Sequence, residues 1–183
     1  MRLKQNVITA RVAAALCVMA PFAVPLGPVP ITLATLGVYL AAGLLDPLRG
    51  STAVGLYLML GGIGIPVFAG FSGGVQHLTG PTGGFLWGYL LCAAVSGLLC
   101  RYGHPRLTPL WLTVGTLLLY AMGTVWYAVS CNVSFGGAWL VCVVPCLIGD
   151  GAKIAVATGL IWSLRERVDR LLSAGMKQRE DSL

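Results

Sequence analysis

Asp150 and Lys153 are the two ionisable residues whose placement calls for chemistry. They stand at the middle of an apolar stretch, Gly137–Leu164, that carries no other charge. Their i, i+3 spacing sets both on one face of a helix. A carboxylate accepts N–H donors, whereas an ammonium meets a carboxylate or a carbonyl oxygen. The pair therefore suits a ligand that has hydrogen-bond donors together with an anionic or carbonyl end. Ionisable groups inside a membrane are costly and mark substrate or ion paths. The alternative is a mutual ion pair that only neutralises itself, which is a poor source of stability. Tyr39, Trp87, Tyr127 and Trp139 are available either as apolar walls around a ligand or as anchors at the membrane interface.

Other chemistry is sparse. No GxxxxGK[ST] stretch is present to cradle a nucleotide, and no cofactor is expected on this chain. The histidines, His77 and His104, belong to opposite sides of the topology derived below, so they cannot share a catalytic site. No intramembrane Ser or Cys has a histidine at its own depth, which argues against nucleophilic catalysis. Six cysteines (Cys17, Cys92, Cys100, Cys131, Cys142, Cys146) show no CxxC spacing and read as small apolar residues in helix packing. No metal site is expected.

The elements that must position the charged pair are membrane spans. Of 183 residues 57% are hydrophobic and only 10% charged, too little polar surface to cover a water-exposed globule. This excludes a soluble enzyme, a nucleic-acid binder and a disordered tail protein. Six apolar stretches run over Val7–Val24, Ile31–Leu45, Ser51–Leu60 (extendable to Ile65), Phe85–Cys100, Leu110–Ser130 and Gly137–Leu164. The expected fold is an all-α integral membrane protein, a compact bundle of six transmembrane helices over residues 1–164 with a charged tail, 165–183. A hydrocarbon core of ~30 Å needs about 20 helical residues, so the first, fifth and sixth stretches suffice alone. The second and third must tilt or be completed by buried irregular backbone.

Charge fixes the orientation. With the N-terminus inside, Arg2, Lys4, Arg49, Arg101, Arg106, Arg165, Arg167, Arg170, Lys177 and Arg179 all fall on the cytoplasmic side. The opposite loops, near Pro25–Pro30, Gly61–Gly84 and Cys131–Gly136, hold no Lys or Arg. This is the positive-inside pattern, so the net charge of +6 reports orientation in a lipid bilayer rather than a nucleic-acid partner. Removal of a signal peptide at Ala20 or Ala23 would leave the other five spans oriented the same way.

Two outer segments depart from plain loops. Pro21, Pro25, Pro28 and Pro30 end the first helix and stiffen the link to the second. Gly61–Gly84 holds nine glycines, yet also Ile63, Ile65, Val67, Phe68 and Phe71. It is too apolar for a solvated linker and too rich in glycine for a helix, so it is expected to fold back as an outer cap or re-entrant loop.

Three ordered motifs together resemble the BioY family, the biotin-binding S components of energy-coupling-factor (ECF) transporters. They are Pro28-Val-Pro-Ile-Thr32-Leu-Ala-Thr35-Leu, then Pro66-Val-Phe-Ala-Gly70 followed by Gly80-Pro-Thr-Gly-Gly84, and Pro145-Cys-Leu-Ile-Gly149-Asp150-Gly-Ala-Lys153. The last is similar to a P-F-x-x-G-D-x-x-K signature. The resemblance spans the chain from the first helix to the sixth. It implies a bacterial cytoplasmic-membrane protein with both termini inside that captures biotin from outside. It further implies a transmembrane coupling protein and two ATPase subunits as partners, with ATP used by those subunits. Biotin contacts are expected at Asp150, Lys153, Gln76, Phe68, Gly70, Thr82, Thr35 and Tyr39. Two positions depart from the family pattern: Ala34 stands for a common Gln, so that one polar contact is either missing or supplied by Gln76, and Cys146 stands for a Phe, which removes an aromatic wall. Family members dock through small residues on the first helix, here Ala10 and Ala14 beside Ala13 and Ala15.

Two readings of other classes stay open at this point. Asp150 can serve as a general base, with Lys153 as electrostatic stabiliser, in a membrane enzyme acting on a lipid-like substrate. The pair can also fix helix register in an assembly subunit.

Overall fold

A computed structural model describes residues 2–24 and 29–180. Pro25 and Pro28 lie outside the described residues, as do the side chains of Arg2, Lys4 and everything beyond Arg165. Helix α1 spans Arg2–Met19 and stops just before Pro21, which cannot extend a helical ladder. The chain then enters a two-residue strand, β1 (Ala23–Val24), antiparallel to β2 (Ile31–Thr32). The first apolar stretch is therefore not helical to Val24 as expected.

Helix α2 covers Ala34–Leu44 and α3 covers Pro47–Gly62. Pro47 opens α3 where its missing N–H costs no hydrogen bond. A short helix, α4 (Val75–Thr79), interrupts the glycine-rich segment before α5 (Gly83–Tyr102). Helix α6 (Thr108–Cys131) ends on Asn132, whose φ of 53° is the left-handed conformation that terminates helices. Ser134 caps α7 (Phe135–Cys142) by accepting the Gly137 N–H at 3.3 Å.

The sixth stretch is not one helix. It breaks at Val143, and α8 runs from Val144 to Glu180. Pro145 is the physical cause, because it lacks an N–H and its ring clashes with the carbonyl four residues back. The break moves the charged pair. At the usual helical rise, Asp150 lies about 9 Å and Lys153 about 14 Å along α8 from Val144. The acid is thus displaced from the middle of a span toward one end.

Among the described residues, three segments are long and apolar enough to cross a membrane: Gly83–Tyr102, Pro105–Cys131 and Val144–Arg165. The fourth stretch thus takes the place expected of the first, whose apolar helix, Gln5–Met19, is shorter. Ala34–Leu44 is shorter still. α5 packs against α6, α3 and α2, while α2 also meets α1 and α8. Leu16, Val38, Tyr57, Leu112, Leu119 and Ile161 are fully buried between these helices. The outward faces remain apolar: Val129 is 74% and Ile148 86% exposed, a surface made for hydrocarbon.

Close approach at two glycines seats the aromatic rings that later form the site. A Cβ on Gly61 would fall 2.2 Å from the Phe68 ring, and one on Gly123 would fall 2.4 Å from the Phe85 ring. Phe68 stands edge-on to Tyr57 with ring centroids 5.5 Å apart. The glycine-rich segment is tied to its surroundings by the Gly70 N–H on the Pro21 carbonyl (2.9 Å) and by the Trp126 indole N–H on the Gly80 carbonyl (3.0 Å).

Candidate ligand-binding site

Helices α2, α6 and α8 bring four polar side chains to one buried point. Asp150 is 4% exposed. Its Oδ1 accepts the Thr35 hydroxyl at 3.0 Å and the Lys153 ammonium at 2.7 Å, and its Oδ2 accepts the Tyr120 hydroxyl at 2.5 Å. Lys153 Nζ also donates to Thr35 Oγ1 at 3.0 Å, so Thr35 takes a hydrogen bond from the lysine while giving one to the acid. The i, i+3 spacing on α8 makes the ion pair, and the first turn of α2 supplies the bridging hydroxyl. Charge-assisted bonds on every side are what allow a carboxylate to stay in so dry a place.

Above this network lie two adjoining cavities. The inner one, about 30 Å³, is bounded by Thr35, Tyr120, Cys146, Asp150 and Lys153. The outer one, about 230 Å³, is bounded by Phe68, Ser72, His77, Thr82 and Leu86. Val29, Pro30, Thr32, Phe85 and Tyr89 wall both. Together they form a cleft that is apolar along its sides with polar groups at its base. The Tyr89 hydroxyl lies 3.4 Å from Thr32 Oγ1, which holds that ring upright in the shared wall.

Of the residues singled out in the sequence, Asp150, Lys153 and Thr35 meet at the base, and Phe68 and Thr82 line the outer part. Gln76, Gly70 and Tyr39 line neither cavity. Gln76 is exposed, and its amide N–H₂ donates to the Gly73 carbonyl at 2.9 Å. Gly70, at φ 70°, serves the turn that reaches Pro21. Tyr39 is fully buried and donates to Thr116 Oγ1 at 2.7 Å, because the Thr116 hydroxyl is itself committed to the Leu112 carbonyl at 2.8 Å. Trp87, Tyr127 and Trp139 also line neither cavity. Ala34 is buried at the start of α2 and makes no wall of the cleft. Ala10 and Ala14 face outward on α1, whereas Ala13 is buried.

Sequence reasoning missed Tyr120, Tyr89, Phe85 and Thr32. The available signal was a tyrosine inside an apolar stretch, because a buried phenol must find a partner. That signal says nothing about which partner. Among the described residues, no group of His, Cys, Asp or Glu is arranged to hold a metal ion.

Comparison with known proteins places this geometry. Residues 1–170 match the BioY family. The chain belongs to the BioY family. A probable biotin transporter BioY from Pyrococcus horikoshii is 37% identical, over 86% of this chain and 93% of the relative. The biotin transporter BioY of Rhodobacter capsulatus is 37% identical, over 87% of this chain and 92% of its own length. The crystal structure of the S-component for biotin from an ECF-type ABC transporter shares the fold. It superposes with a TM-score of 0.81 and 24% identity, over 90% of this chain and 92% of that one. With several apolar helices and this family, the chain is a multi-pass membrane protein.

Proposed function

We propose that the chain captures biotin from outside the cell and delivers it inward as the substrate-binding subunit of an ATP-driven ECF transporter. The observation that carries this reading is the Asp150–Lys153–Thr35–Tyr120 network at the base of an apolar cleft, in a member of the BioY family. The chemistry matches biotin, whose ureido ring offers two N–H donors and one carbonyl and whose tail ends in a carboxylate. Asp150 has about four lone-pair sites, and three are taken. The remaining site accepts a ureido N–H. Lys153 places two of its ammonium hydrogens among the described residues, and the third meets the ureido carbonyl. Phe85 and Tyr89 flank the ring system, and the tail rises toward Phe68, Thr82 and His77.

In this reading the chain crosses a bacterial cytoplasmic membrane six times with both termini inside, the shorter α1, α2 and α3 being completed by tilt and by the irregular segments that follow them. The glycine-rich segment caps the cleft. Arg49, Arg101 and Arg165 gathering at the opposite end of the bundle supports that orientation. No cofactor is held by this chain; a coupling membrane protein and two ATPase subunits supply the energy, and the outward alanines Ala10 and Ala14 offer them a close-packing helix face. The test is radiolabelled biotin accumulation in a biotin-requiring bacterium. Expression of the chain with an ECF module is expected to give concentrative uptake that fails when the ATPases are inactivated. Uptake at background level with well-inserted protein would contradict the reading.

A further inference from the structure

The end of the bundle away from the cleft holds a second cavity that the proposed transport does not use. It measures about 90 Å³ and lies among α1, the end of α2, the start of α3, the end of α5 and the middle of α8, with Gln5, Asp46, Arg49, Arg101 and Arg165 in its wall. Asp46 is the one carboxylate among the described residues of that wall, and it is shared. Arg49 Nη1 donates to it at 3.1 Å, and Arg101 donates to its other oxygen. Arg49 also holds the Gln5 side-chain carbonyl. Among the described residues, three guanidiniums therefore share a wall with one acid. Arg165 is the one left over: its Nη1 is buried and has no acceptor among the described residues.

A buried guanidinium N–H without an acceptor is costly, and so is the excess of positive charge around a partly enclosed space. Both are relieved by an anion with several acceptor oxygens arranged for bidentate arginine contact, which is the geometry of phosphate. Basic pockets between helices at this level of a membrane are the places where phosphate headgroups seat. We propose that this cavity binds a phosphate-bearing anion, held by Arg165, Arg101 and Arg49. The headgroup of an anionic phospholipid and free phosphate share that chemistry, and the experiment separates them.

The full chain in neutral detergent is titrated with phosphatidylglycerol, with phosphatidylcholine and, separately, with inorganic phosphate. Native mass spectrometry reads the dissociation constant of the first lipid, and the thermal midpoint reads the phosphate arm. Saturable binding of phosphatidylglycerol, weakened at least fivefold by Arg165→Gln and by Arg101→Gln, is the expected result. Arg106→Gln, on the 3₁₀ turn Pro105–Leu107 outside the cavity, is expected to change it less than twofold. A saturable phosphate shift lost in the same two variants assigns the site to the free anion instead and supports the proposal equally. Where one variant is not monodisperse, the other decides. Absence of saturable binding of either ligand overturns the proposal. So does a loss in Arg106→Gln equal to that in Arg165→Gln, since the attraction would then be the diffuse charge of that face.

Discussion

Lys153→Met removes from Asp150 the only cation bonded to it among the described residues. The carboxylate then rests on two neutral hydroxyls, Thr35 at 3.0 Å and Tyr120 at 2.5 Å, at 4% exposure. Deleting one partner of a buried pair costs about 3–5 kcal/mol, because the other charge stays buried without compensation. The two remaining donors put this case at the lower end, about 3 kcal/mol. Asp150→Asn leaves the ammonium an amide carbonyl and the Thr35 hydroxyl, and the lysine side chain is 11% exposed; its expected cost is about 2 kcal/mol. The double variant buries no charge and is expected to cost about 2 kcal/mol or less. The coupling between the sites is then on the order of 3 kcal/mol. For a chain of this size each kcal/mol moves the thermal midpoint about 2–4 °C. Lys153→Met should therefore fall by roughly 6–12 °C and the double variant by no more than roughly 8 °C. The assay is tryptophan-fluorescence melting of the ligand-free chain in nanodiscs at one scan rate. Losses that simply add in the double variant would refute the claim that the two charges sustain each other.

Three further perturbations test the geometry of the cleft and the proposed docking face on α1. Tyr120→Phe removes a hydrogen bond to a charged acceptor and is expected to cost about 1.5–3 kcal/mol in the same melting assay, with weaker biotin binding in equilibrium dialysis. Gly61→Ala puts a methyl 2.2 Å from the Phe68 ring and drives it into the outer cavity, costing about 1–3 kcal/mol and lowering biotin affinity about tenfold by dialysis. Ala14→Trp enlarges an outward position of α1, so biotin binding by the purified chain should be unchanged while ECF-dependent uptake in cells is lost.

What the sequence disclosed and what it withheld follow physical lines. Two charges in an apolar stretch cannot be hidden, and their i, i+3 spacing already implied the contact that α8 makes at 2.7 Å. The break at Val143 was signalled by Pro145 but outweighed by the unbroken hydropathy on both sides, because hydropathy does not register a lost backbone donor. Tyr39 and Tyr120 show the limit of local reasoning. Both are buried phenols in apolar helices, yet one hydroxyl is spent on Thr116 in helix packing and the other on Asp150 in the cleft. Only the way α2 and α6 pack on α5 and α8 separates them. Gln76 was singled out for its polarity, but a glutamine in the first turn of a short helix has the backbone carbonyl just before that helix within reach, and its amide N–H₂ is spent on Gly73.

The most direct test of the central claim is equilibrium biotin binding to the purified chain in nanodiscs, with Asp150→Asn and Lys153→Ala measured beside the parent. Saturable one-site binding, weakened tenfold or more (~1.4 kcal/mol) by each substitution, is the result expected if the network at the base of the cleft holds the ureido ring. Binding by the parent that neither substitution disturbs would contradict it and move the site to the outer cavity.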